Sequence, residues 1–594
     1  MFYVWRFLLA ACAAAGLGAA LLLLAYGAYD AGVFHGYFRF WRIWVLNLLP
    51  VILLVLLFYG ITGRTWAGFL AGGGIALGFS LGNYYKLQFR GDPLCMKDLT
   101  ILREAGAMTT GGRYELFIDS RLAAAIGCLL LGTLLLWVLA RGKLGDWRMR
   151  LAASLAALAA AAALAPAYLS GDVYSSIQNF DHLTRWNPAE DYISRGFVYP
   201  FLHSAGELMD TPPDGYDKST PQALLSTYGD GGIPEDRRVN IIAIMREAYV
   251  DFSRYGIEGL DESGYDFYHA LEAESYTGNL VTNIFSGGTV DTERCFLTGD
   301  HEIGEYRVPS NSYVWYLRQQ GYTVEGSHPY NSWFYDRSSI NENLGFARYR
   351  FLEGDFDRFS SATYPEDTVL LPEIYRDFQA NKSTGKPYFS FSVNVESHGP
   401  YATWDTGAPE HLTGDYSLEC RNAMNDYLDT IWRTDEALED LVEQLRRDPE
   451  PVVLVTFGDH LPWMGANKQF YHEMGVNLDL STDEGFFTHF STRYLIWAND
   501  AARELLGSDV QGEGPDVSPC YLMNLVFQQL GWEGPPFMQA MEEMMAVFPV
   551  VSIKGRYVVD GLLTDEIPPE RADMFQQFLY LQQYWQDEFL FDES

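Results

Sequence analysis

Five long apolar stretches in the first 170 residues constrain this chain more than any other feature of its sequence. A helix needs about 20 mostly apolar residues to cross the hydrocarbon layer of a membrane. The stretches are residues 7–26, 44–61, 65–82, 122–140 and 151–169. A cleaved signal peptide is the alternative for the first stretch, but its apolar run is long for that purpose and four more follow. The sequence therefore predicts a bundle of five transmembrane helices over residues 1–170.

The lysines and arginines of the short loops predict how these helices are oriented. The loop between the fourth and fifth stretches holds Arg141, Lys143, Arg148 and Arg150, and the loop between the second and third holds Arg64. Short basic loops remain in the cytoplasm. Because the number of spans is odd, we expect a multi-pass cell-membrane protein whose remaining chain is extracellular.

The remaining chain is strongly acidic. The whole sequence has a formal charge of −36, whereas residues 1–170 hold 14 Lys and Arg against 7 Asp and Glu, so the remainder carries −43. A surface that binds a polyanion needs the opposite charge. The acidic charge therefore argues against nucleic acid as a partner. The five apolar stretches make the lipid bilayer an expected one.

Two regions follow the predicted bundle. Residues 171–238 are rich in proline and mixed in character, which predicts a linker with short helices. From residue 239 onward, short apolar runs alternate with long amphipathic stretches, and residues 423–445 have the apolar spacing of a crossover helix. This pattern predicts an α/β domain with a mainly parallel central sheet over residues 239–594.

Three of the apolar runs are each followed by residues that can bind a metal ion or a proton. The runs are residues 239–245, 388–395 and 452–457, and the residues that follow them are Glu247, His398, and Asp459 with His460. In open α/β sheets, ligands bind outside the carboxyl ends of the strands. We therefore expect these side chains to converge in one crevice.

The chemistry of these side chains favours a divalent cation. Glu247 and Asp459 offer oxygen and His460 offers nitrogen, a mixed set that suits Mn²⁺, Zn²⁺ or, less comfortably, Mg²⁺. Taken alone, the Gly-Asp-His tripeptide at 458–460 is equally compatible with an aspartate that caps a helix beside a surface histidine.

A threonine that follows two glycines is the candidate nucleophile. Gly287 and Gly288 allow the backbone to turn tightly and to approach a ligand, and Thr289 follows them directly. A threonine hydroxyl becomes a nucleophile when a divalent metal lowers its pKa. On the local sequence alone, however, a simple helix N-cap is the favoured interpretation of Thr289.

Taken together, these segments resemble the lipoteichoic acid synthase family, a sulfatase branch of the alkaline-phosphatase superfamily. The matching segments follow five apolar stretches in the order Asn-Ile-Ile-Ala-Ile-Met-Arg-Glu (240–247), Gly-Gly-Thr-Val-Asp-Thr-Glu (287–293), Glu-Ser-His-Gly-Pro (396–400) and Phe-Gly-Asp-His (457–460). The resemblance implies an alkaline-phosphatase/sulfatase-like catalytic domain with one divalent metal ion, Mn²⁺ before Mg²⁺ or Zn²⁺. The implied metal ligands are Glu247, Thr289, Asp459 and His460, with Thr289 also the nucleophile.

The resemblance also implies residues that bind the substrate. His328, Tyr335 and Arg337 lie in a segment similar to the family's headgroup-binding segment, in which Arg337 would grip phosphate. A structural ion pair with an aspartate is the alternative for Arg337. His398 would assist the leaving or entering oxygen, or bind phosphate.

The implied reaction is a phosphoglycerol transfer in two steps. Thr289 attacks the phosphate of phosphatidylglycerol, diacylglycerol leaves, and the glycerol phosphate then passes to a glycolipid or polyglycerolphosphate acceptor. A phosphoethanolamine transferase, another envelope-modifying enzyme of the same superfamily and a non-catalytic phosphoglycerol-binding protein are the alternatives. Sulfate-ester hydrolysis is disfavoured, because the sequence lacks the Cys/Ser-x-Pro-x-Arg segment of true sulfatases.

Overall fold

The chain forms two compact units, Met1–Thr211 and Pro212–Ser594. The structure, a computed structural model, describes residues 2–27, 31–90, 93–101, 118–179, 183, 188–208, 212–304, 306–359 and 365–591. The segment 171–238, predicted as a linker, is divided between the two units. Ile193 and Phe197 pack into an apolar core of the first unit, whereas Leu225 and Ile233 pack into a core of the second.

The described residues of the first unit form helices joined by short connections, and they include no strand. Its α-helices are α1 (Phe2–Ala25), α2 (Ala31–Arg39), α3 (Trp41–Thr62), α4 (Thr65–Arg90), α5 (Ser120–Leu139), α6 (Trp147–Leu169), α7 (Gly171–Ser175), α8 (Pro188–Ser194) and α9 (Val198–His203). Five of them, namely α1, α3, α4, α5 and α6, are long and apolar enough to cross a membrane. The prediction of five apolar helices is therefore confirmed.

Helix α4 is longer than the sequence predicts. It was expected to end near residue 82, but it continues to Arg90. Its polar last turns have partners: Asn83 accepts a hydrogen bond of 3.0 Å from the backbone N–H of Leu94, and Lys86 forms an ion pair of 2.8 Å with Asp98. Because these polar groups are satisfied, the helix extends beyond its apolar run.

The glycines of α4 allow it to pack closely against α3. A Cβ atom at Gly68 would collide with the backbone of Tyr59, and a Cβ atom at Gly72 would lie 2.9 Å from the backbone nitrogen of Val55. Small residues four positions apart are the usual means by which membrane helices approach each other. The glycine content that weakens the apolar signal of this stretch thus serves helix packing.

Replacing Gly68 by valine should therefore destabilise the first unit. We expect the Gly68→Val variant to lose about 1–3 kcal/mol of unfolding free energy through overpacking against α3. Gly74→Val is the matched control, because a Cβ atom at Gly74 meets no described atom within 4 Å. Thermal unfolding of the two purified variants in detergent measures the difference, and equal stabilities would contradict the close packing of α3 and α4.

The second unit contains a central sheet of eight strands. The strands are β1 (Asn240–Arg246), β2 (Tyr276–Val281), β3 (Thr323–His328), β4 (Arg348–Phe351), β5 (Tyr388–Val393), β6 (Val452–Gly458), β7 (Ser491–Ala498) and β8 (Gly512–Glu513), in the spatial order β4-β3-β5-β1-β6-β7-β2-β8. Neighbours pair in parallel except β7, which is antiparallel to both β6 and β2. A second, antiparallel sheet consists of β9 (Val550–Val551), β10 (Tyr557–Val559) and β11 (Leu562–Thr564).

Helices surround the central sheet. They are α10 (Ser219–Leu225), α11 (Asp266–Ala273), α12 (Val290–Thr298), α13 (Tyr313–Gln319), α14 (Arg337–Asn343), α15 (Asp367–Asn381), α16 (Leu418–Arg447), α17 (Gln469–Glu473), α18 (Asp483–Phe490), α19 (Asp500–Leu506), α20 (Leu522–Leu530), α21 (Pro536–Val547) and α22 (Ala572–Asp587). The predicted crossover helix is confirmed as α16, whose first turn is capped by the Ser417 hydroxyl at 3.1 Å from the backbone nitrogen of Cys420.

Both faces of the sheet are buried. Along β1, Ile241 and Met245 pack into one apolar core, whereas Ile242 and Ile244 pack into another. A strand that is covered on both faces needs a continuous apolar run rather than an alternating one, which explains the sequence of β1. The central strands β5, β1 and β6 therefore form a rigid platform, and the candidate site lies at its carboxyl edge.

Candidate active site

The structure brings together three of the predicted metal ligands. Glu247, Asp459 and His460 are all buried, and each offers a ligand atom within 4.8 Å of the others. The pairing of β1 with β6 explains their proximity, because Arg246 lies opposite Gly458 in the register and the ligands follow directly. Glu247, Asp459 and His460 thus lie together, as expected for residues that follow the carboxyl ends of neighbouring parallel strands.

Backbone geometry around the strand ends fixes the Asp459 carboxylate. A side chain at Gly458 would collide with the carbonyl oxygen of Tyr249, so only glycine fits at this position. Ala248 adopts a left-handed conformation with a φ of 50°, and its N–H donates to Asp459 Oδ1 at 2.8 Å. The N–H of His460 donates to the same oxygen, also at 2.8 Å. Asp459 Oδ2 is left to face the cluster.

The cluster is composed of hydrogen-bond acceptors. His460 Nδ1 lies 3.0 Å from the carbonyl oxygen of Leu461, so Nδ1 carries a proton and Nε2 is left to face the cluster. His460 Nε2 lies 3.2 Å from Asp459 Oδ2 and 3.7 Å from Glu247 Oε1. Asp459 Oδ2 and His460 Nε2 are both buried, and neither has a hydrogen-bond partner among the described residues. Buried acceptors that face each other need a proton or a cation between them.

These residues fit a divalent cation. Two carboxylate oxygens and one imidazole nitrogen form a mixed donor set, and the Nδ1–H bond of His460 to a backbone carbonyl is the usual outer contact of a metal-binding histidine. Burial and the neighbouring Asp459 carboxylate raise the pKa of Glu247 to about 8. A cation bound here replaces the proton on that carboxylate.

Divalent metal affinity should therefore fall as the pH falls through about 8. Below this pH the metal-free site holds a proton on Glu247, and metal binding must release that proton. The apparent Kd for Mn²⁺ should therefore rise about tenfold for each unit by which the pH is lowered. Isothermal titration calorimetry between pH 6.5 and 8.5, in buffers of different ionisation enthalpy, measures both the Kd and the released proton. A Kd that stays constant over this range would contradict the assignment.

The backbone before Thr289 has an unusual conformation. Ser286, Gly287 and Gly288 have φ values of 59°, 134° and 91°, so three successive residues lie in the left-handed region, which glycine adopts without strain. Thr289 then occupies the N-cap position of α12.

The Thr289 hydroxyl does not cap the helix that it precedes. It accepts no hydrogen bond from the backbone of α12 and instead donates to Glu247 Oε2 at 3.1 Å. The N-cap role that the local sequence favours for this side chain is therefore wrong. The hydroxyl oxygen lies beside the acceptor cluster and at the positive end of a helix, where negative charge is stabilised.

Arg337 forms a buried ion pair, as its alternative interpretation expects, but the partner is a glutamate rather than an aspartate. Its Nε and Nη2 donate to Glu293 Oε2 at 3.0 and 2.8 Å, and both side chains are buried. The pair links the start of α14 to α12. Arg337 Nη1 is buried and has no hydrogen-bond partner among the described residues, and the positive charge of Arg337 lowers the pKa of Glu247 against the effect of burial. The two N–H groups of Nη1 are therefore left for a further acceptor.

The other predicted substrate-binding residues surround the same region. His328 Nδ1 lies 3.0 Å from the carbonyl oxygen of Val393, and burial, together with the charge of Arg337, keeps the pKa of His328 well below its usual value. His398 is partly exposed, and its Nδ1 lies 2.6 Å from the carbonyl oxygen of Gly399. Tyr335 is buried with a φ of 58°, and its ring centroid lies 5.4 Å from the Arg337 guanidinium carbon.

Sequence reasoning missed the residues that hold Glu247 in place. Asn394 Oδ1 accepts the backbone N–H of Glu247, and the Ser397 hydroxyl donates to its carbonyl oxygen. Asn394 Nδ2 in turn donates to Asp367 Oδ2 at 2.6 Å. Asn394 and Ser397 both belong to the segment Asn-Val-Glu-Ser-His after β5 (394–398), in which the sequence interpretation assigns a role only to the histidine.

A second carboxylate pair supports Asn394. The backbone N–H of Asp367 donates to Glu396 Oε2 at 2.7 Å, and Arg433 Nε donates to Glu396 Oε1 at 3.0 Å. Burial, with the nearby Glu396 carboxylate, raises the pKa of Asp367 to about 7. This network joins β5, α15 and α16 behind the Glu247 peptide group.

Removing the Asn394 amide should weaken metal binding without removing a ligand. Second-layer contacts to metal ligands are worth about 10–100-fold in affinity, so we expect the Kd of Asn394→Ala for Mn²⁺ to rise by that factor. Ser390→Ala is the matched control, because Ser390 is also buried on β5 but its hydroxyl has no hydrogen-bond partner. Titration calorimetry compares the two variants, and equal Kd values would contradict the positioning role of Asn394.

Comparison with known proteins shows which proteins the second unit resembles. Residues 240–531 match the Sulfatase family. A relative from Rhizobium meliloti (strain 1021), described as a putative cyclic beta-1,2-glucan modification protein, is 22% identical over 411 residues, which cover 65% of this chain and 62% of the relative. The chain thus spans less than two thirds of that relative.

Two solved structures are similar to this chain. The integral membrane protein lipooligosaccharide phosphoethanolamine transferase A of Neisseria meningitidis matches with a TM-score of 0.50 and 12% identity, over 86% of this chain and 95% of that one. A phosphoglycerol transferase of Streptococcus pyogenes, solved with sn-glycerol-1-phosphate, matches with a TM-score of 0.48 and 16% identity, over 63% and 94%. The match to the Sulfatase family and the likeness to the Neisseria meningitidis structure confirm the predicted fold class: five apolar helices precede an alkaline-phosphatase/sulfatase-like domain.

Proposed function

We propose that this protein is a metal-dependent phosphotransferase that moves glycerol phosphate from phosphatidylglycerol to an acceptor in the cell envelope. The observation that carries the proposal is the Thr289 hydroxyl, which donates to Glu247 at the edge of a buried cluster of metal-ligand atoms. A nucleophile beside such a cluster is what covalent phosphotransfer requires. The lipoteichoic acid synthase family, which the sequence resembles, performs this chemistry.

The second unit supplies a residue for each part of the reaction. Glu247, Asp459 and His460, with the Thr289 oxygen, would hold the cation, for which we propose Mn²⁺, with Mg²⁺ and Zn²⁺ as alternatives. When bound, such an ion supplies Lewis-acid stabilisation of negative charge. Glu247 Oε2 receives the hydroxyl hydrogen of Thr289 in a hydrogen bond and orients the oxygen for attack.

The transfer takes place in two displacements. The Thr289 oxygen gives up its proton and forms a bond to phosphorus, the bond to the diacylglycerol oxygen breaks, and that oxygen takes up a proton as diacylglycerol leaves. An acceptor hydroxyl oxygen then bonds to the same phosphorus while its proton is removed, and the Thr289 oxygen leaves and regains a proton. The N–H groups at the start of α12 and the unpartnered Nη1 of Arg337 support phosphate during both steps.

His328, His398 and Tyr335 are proposed to contact the headgroup. His328 keeps a low pKa, so it enters the site as a neutral imidazole that accepts a hydrogen bond through Nε2 rather than as a cation. His398, near the start of the connection after β5, is proposed to assist the leaving or entering oxygen.

The anchor and the donor agree in location. Phosphatidylglycerol is a membrane lipid, and the basic loops support an orientation in which the second unit lies on the outer side of the cell membrane, where no nucleotide is needed to supply the phosphate. A glycolipid or polyglycerolphosphate chain is the acceptor in the resembled family. The description of the rhizobial relative as a glucan modification protein favours an envelope glucan as a second candidate.

Replacing Thr289 by alanine tests the proposal. With purified full-length protein, Mn²⁺ and labelled phosphatidylglycerol, we expect Thr289→Ala to release diacylglycerol at least about 10³-fold more slowly than the wild type, because the nucleophile is lost. Thr289→Ser keeps a hydroxyl in the same place and should retain most of the activity.

Two outcomes would overturn this assignment. Diacylglycerol release by Thr289→Ala at the wild-type rate would exclude the threonine intermediate. Release by the wild type from labelled phosphatidylethanolamine alone would make the protein a phosphoethanolamine transferase. Mass spectrometry of a digest from the first turnover should show the added phosphoglycerol on the peptide that contains Thr289.

A further inference from the structure

A pocket of about 230 Å³ lies where the connection after β5 meets the first turns of α16. None of the residues around it belongs to the cluster of metal-ligand atoms or to the Thr289 loop. The lining residues on which its chemistry depends are Trp404, Asp405, Glu410, Arg421, Asn422 and Asn425.

Hydrogen bonds from α16 hold the pocket open. Asn422 Nδ2 donates to the carbonyl oxygen of Thr403 at 3.0 Å, and Asn425 Oδ1 accepts the backbone N–H groups of His411 and Leu412, both at 2.9 Å. These bonds fasten the two arms of the connection to one helix. They also use only one end of each amide, so Asn422 Oδ1 and Asn425 Nδ2 are not engaged in them. The pocket is therefore preformed and polar.

An exposed indole ring forms one wall. Trp404 is 65% exposed, and it is the only exposed tryptophan among the described residues of the second unit. A single exposed apolar side chain is common on protein surfaces, but this ring lines a pocket, and Leu418, which is 63% exposed, lines the same pocket. Here the ring stands beside amides, carboxylates and a guanidinium, which together donate and accept hydrogen bonds. A pyranose ring, with apolar C–H faces and a rim of hydroxyl groups, matches this combination.

The charges in the pocket select against an anionic ligand. Asp405 and Glu410 provide two negative charges, and the single positive charge, on Arg421, lies 3.8 Å from Glu410. A phosphate polymer or an anionic bilayer would meet net negative charge here. A neutral ligand meets no such repulsion.

The pocket shares an edge of the sheet with the candidate active site. The connection that carries Trp404 begins at the carboxyl end of β5 and includes His398, while Glu247 and Asp459 follow the neighbouring strands β1 and β6. Near its start, the Tyr401 hydroxyl donates to the carbonyl oxygen of Ser397 at 2.8 Å, and the Ser397 hydroxyl donates to the carbonyl oxygen of Glu247. A ligand in the pocket is thus bound on the side of the sheet where transfer occurs.

We propose that this pocket binds a hexose unit of a neutral oligosaccharide, with Trp404 stacked on the sugar ring and the two asparagine amides bonded to its hydroxyl groups. The inference of a sugar-binding site depends only on the residues of the pocket. The role of this site as the acceptor subsite rests on the proposed transferase function, and it makes the acceptor a neutral glycan rather than a phosphate polymer.

Binding is measured with full-length Thr289→Ala protein in a detergent without a sugar headgroup, using a neutral β-1,2-linked glucose oligomer as the titrant. Calorimetry should show binding whose Kd rises about tenfold or more in the added Trp404→Ala variant, because the stacking face is lost. Trp404→Tyr, which keeps a ring, should retain most of the affinity. Phe359→Ala is the control, because Phe359 is an exposed aromatic side chain of the same unit that lies outside the pocket.

The outcomes separate this inference from the proposed function. A glucose oligomer that does not bind, or a Kd unchanged by Trp404→Ala, would overturn the sugar site. A Trp404→Ala effect confined to phosphatidylglycerol vesicles or to a glycerol-phosphate oligomer would also overturn it, in favour of a bilayer contact or a phosphate polymer.

Turnover of the otherwise wild-type enzyme tests the acceptor role. With the glucan acceptor, Trp404→Ala should raise KM about tenfold, while donor cleavage with water or glycerol as acceptor stays unchanged. An unchanged KM would overturn the acceptor role even where the transferase itself is active. If Thr289→Ala keeps donor cleavage, the proposed function fails but the calorimetric result stands.

Discussion

The rest of the site depends on one constraint: potential metal-ligand atoms of Glu247, Asp459 and His460 are buried close together. Such a cluster is unfavourable without a proton or a cation, and the protein nevertheless fixes it with the β1–β6 register, with Gly458, and with two N–H bonds to Asp459 Oδ1. A divalent cation bound between these atoms would remove the repulsion and would itself be bound tightly. The Thr289 loop and its hydroxyl are then arranged around that position.

The layer behind the cluster explains why it can be held so firmly. Asn394 and Ser397 bind both peptide groups of Glu247, and the carboxylates of Asp367 and Glu396 anchor that segment to α15 and α16. The ion pair of Arg337 with Glu293 similarly ties α14 to the helix that Thr289 begins. The candidate ligands are therefore positioned by strands and helices rather than by a free loop, which suits a reaction that needs fixed geometry.

The strands β1, β5 and β6, the crossover helix and the convergence of the strand-end ligands follow from the sequence, because apolar runs and the carboxyl-edge rule are local or topological properties. The direction of the Thr289 hydroxyl does not, since N-cap threonines and nucleophilic threonines share one local sequence and only the distant Glu247 distinguishes them. The partners of Arg337 and Asn394 depend on which side chains the sheet order brings together. The length of α4 depends on the tertiary contacts of Asn83 and Lys86.

A divalent cation in this cluster, beside the Thr289 oxygen, is what the proposed chemistry requires. Crystals of the protein grown with Mn²⁺, with diffraction data collected on both sides of the manganese absorption edge, would locate it. We expect one anomalous peak per chain, within bonding distance of the Glu247 and Asp459 carboxylates and of His460 Nε2, with the Thr289 oxygen next to it. A cluster without a peak in crystals that bind manganese elsewhere, or a peak remote from Thr289, would rule out this metal site.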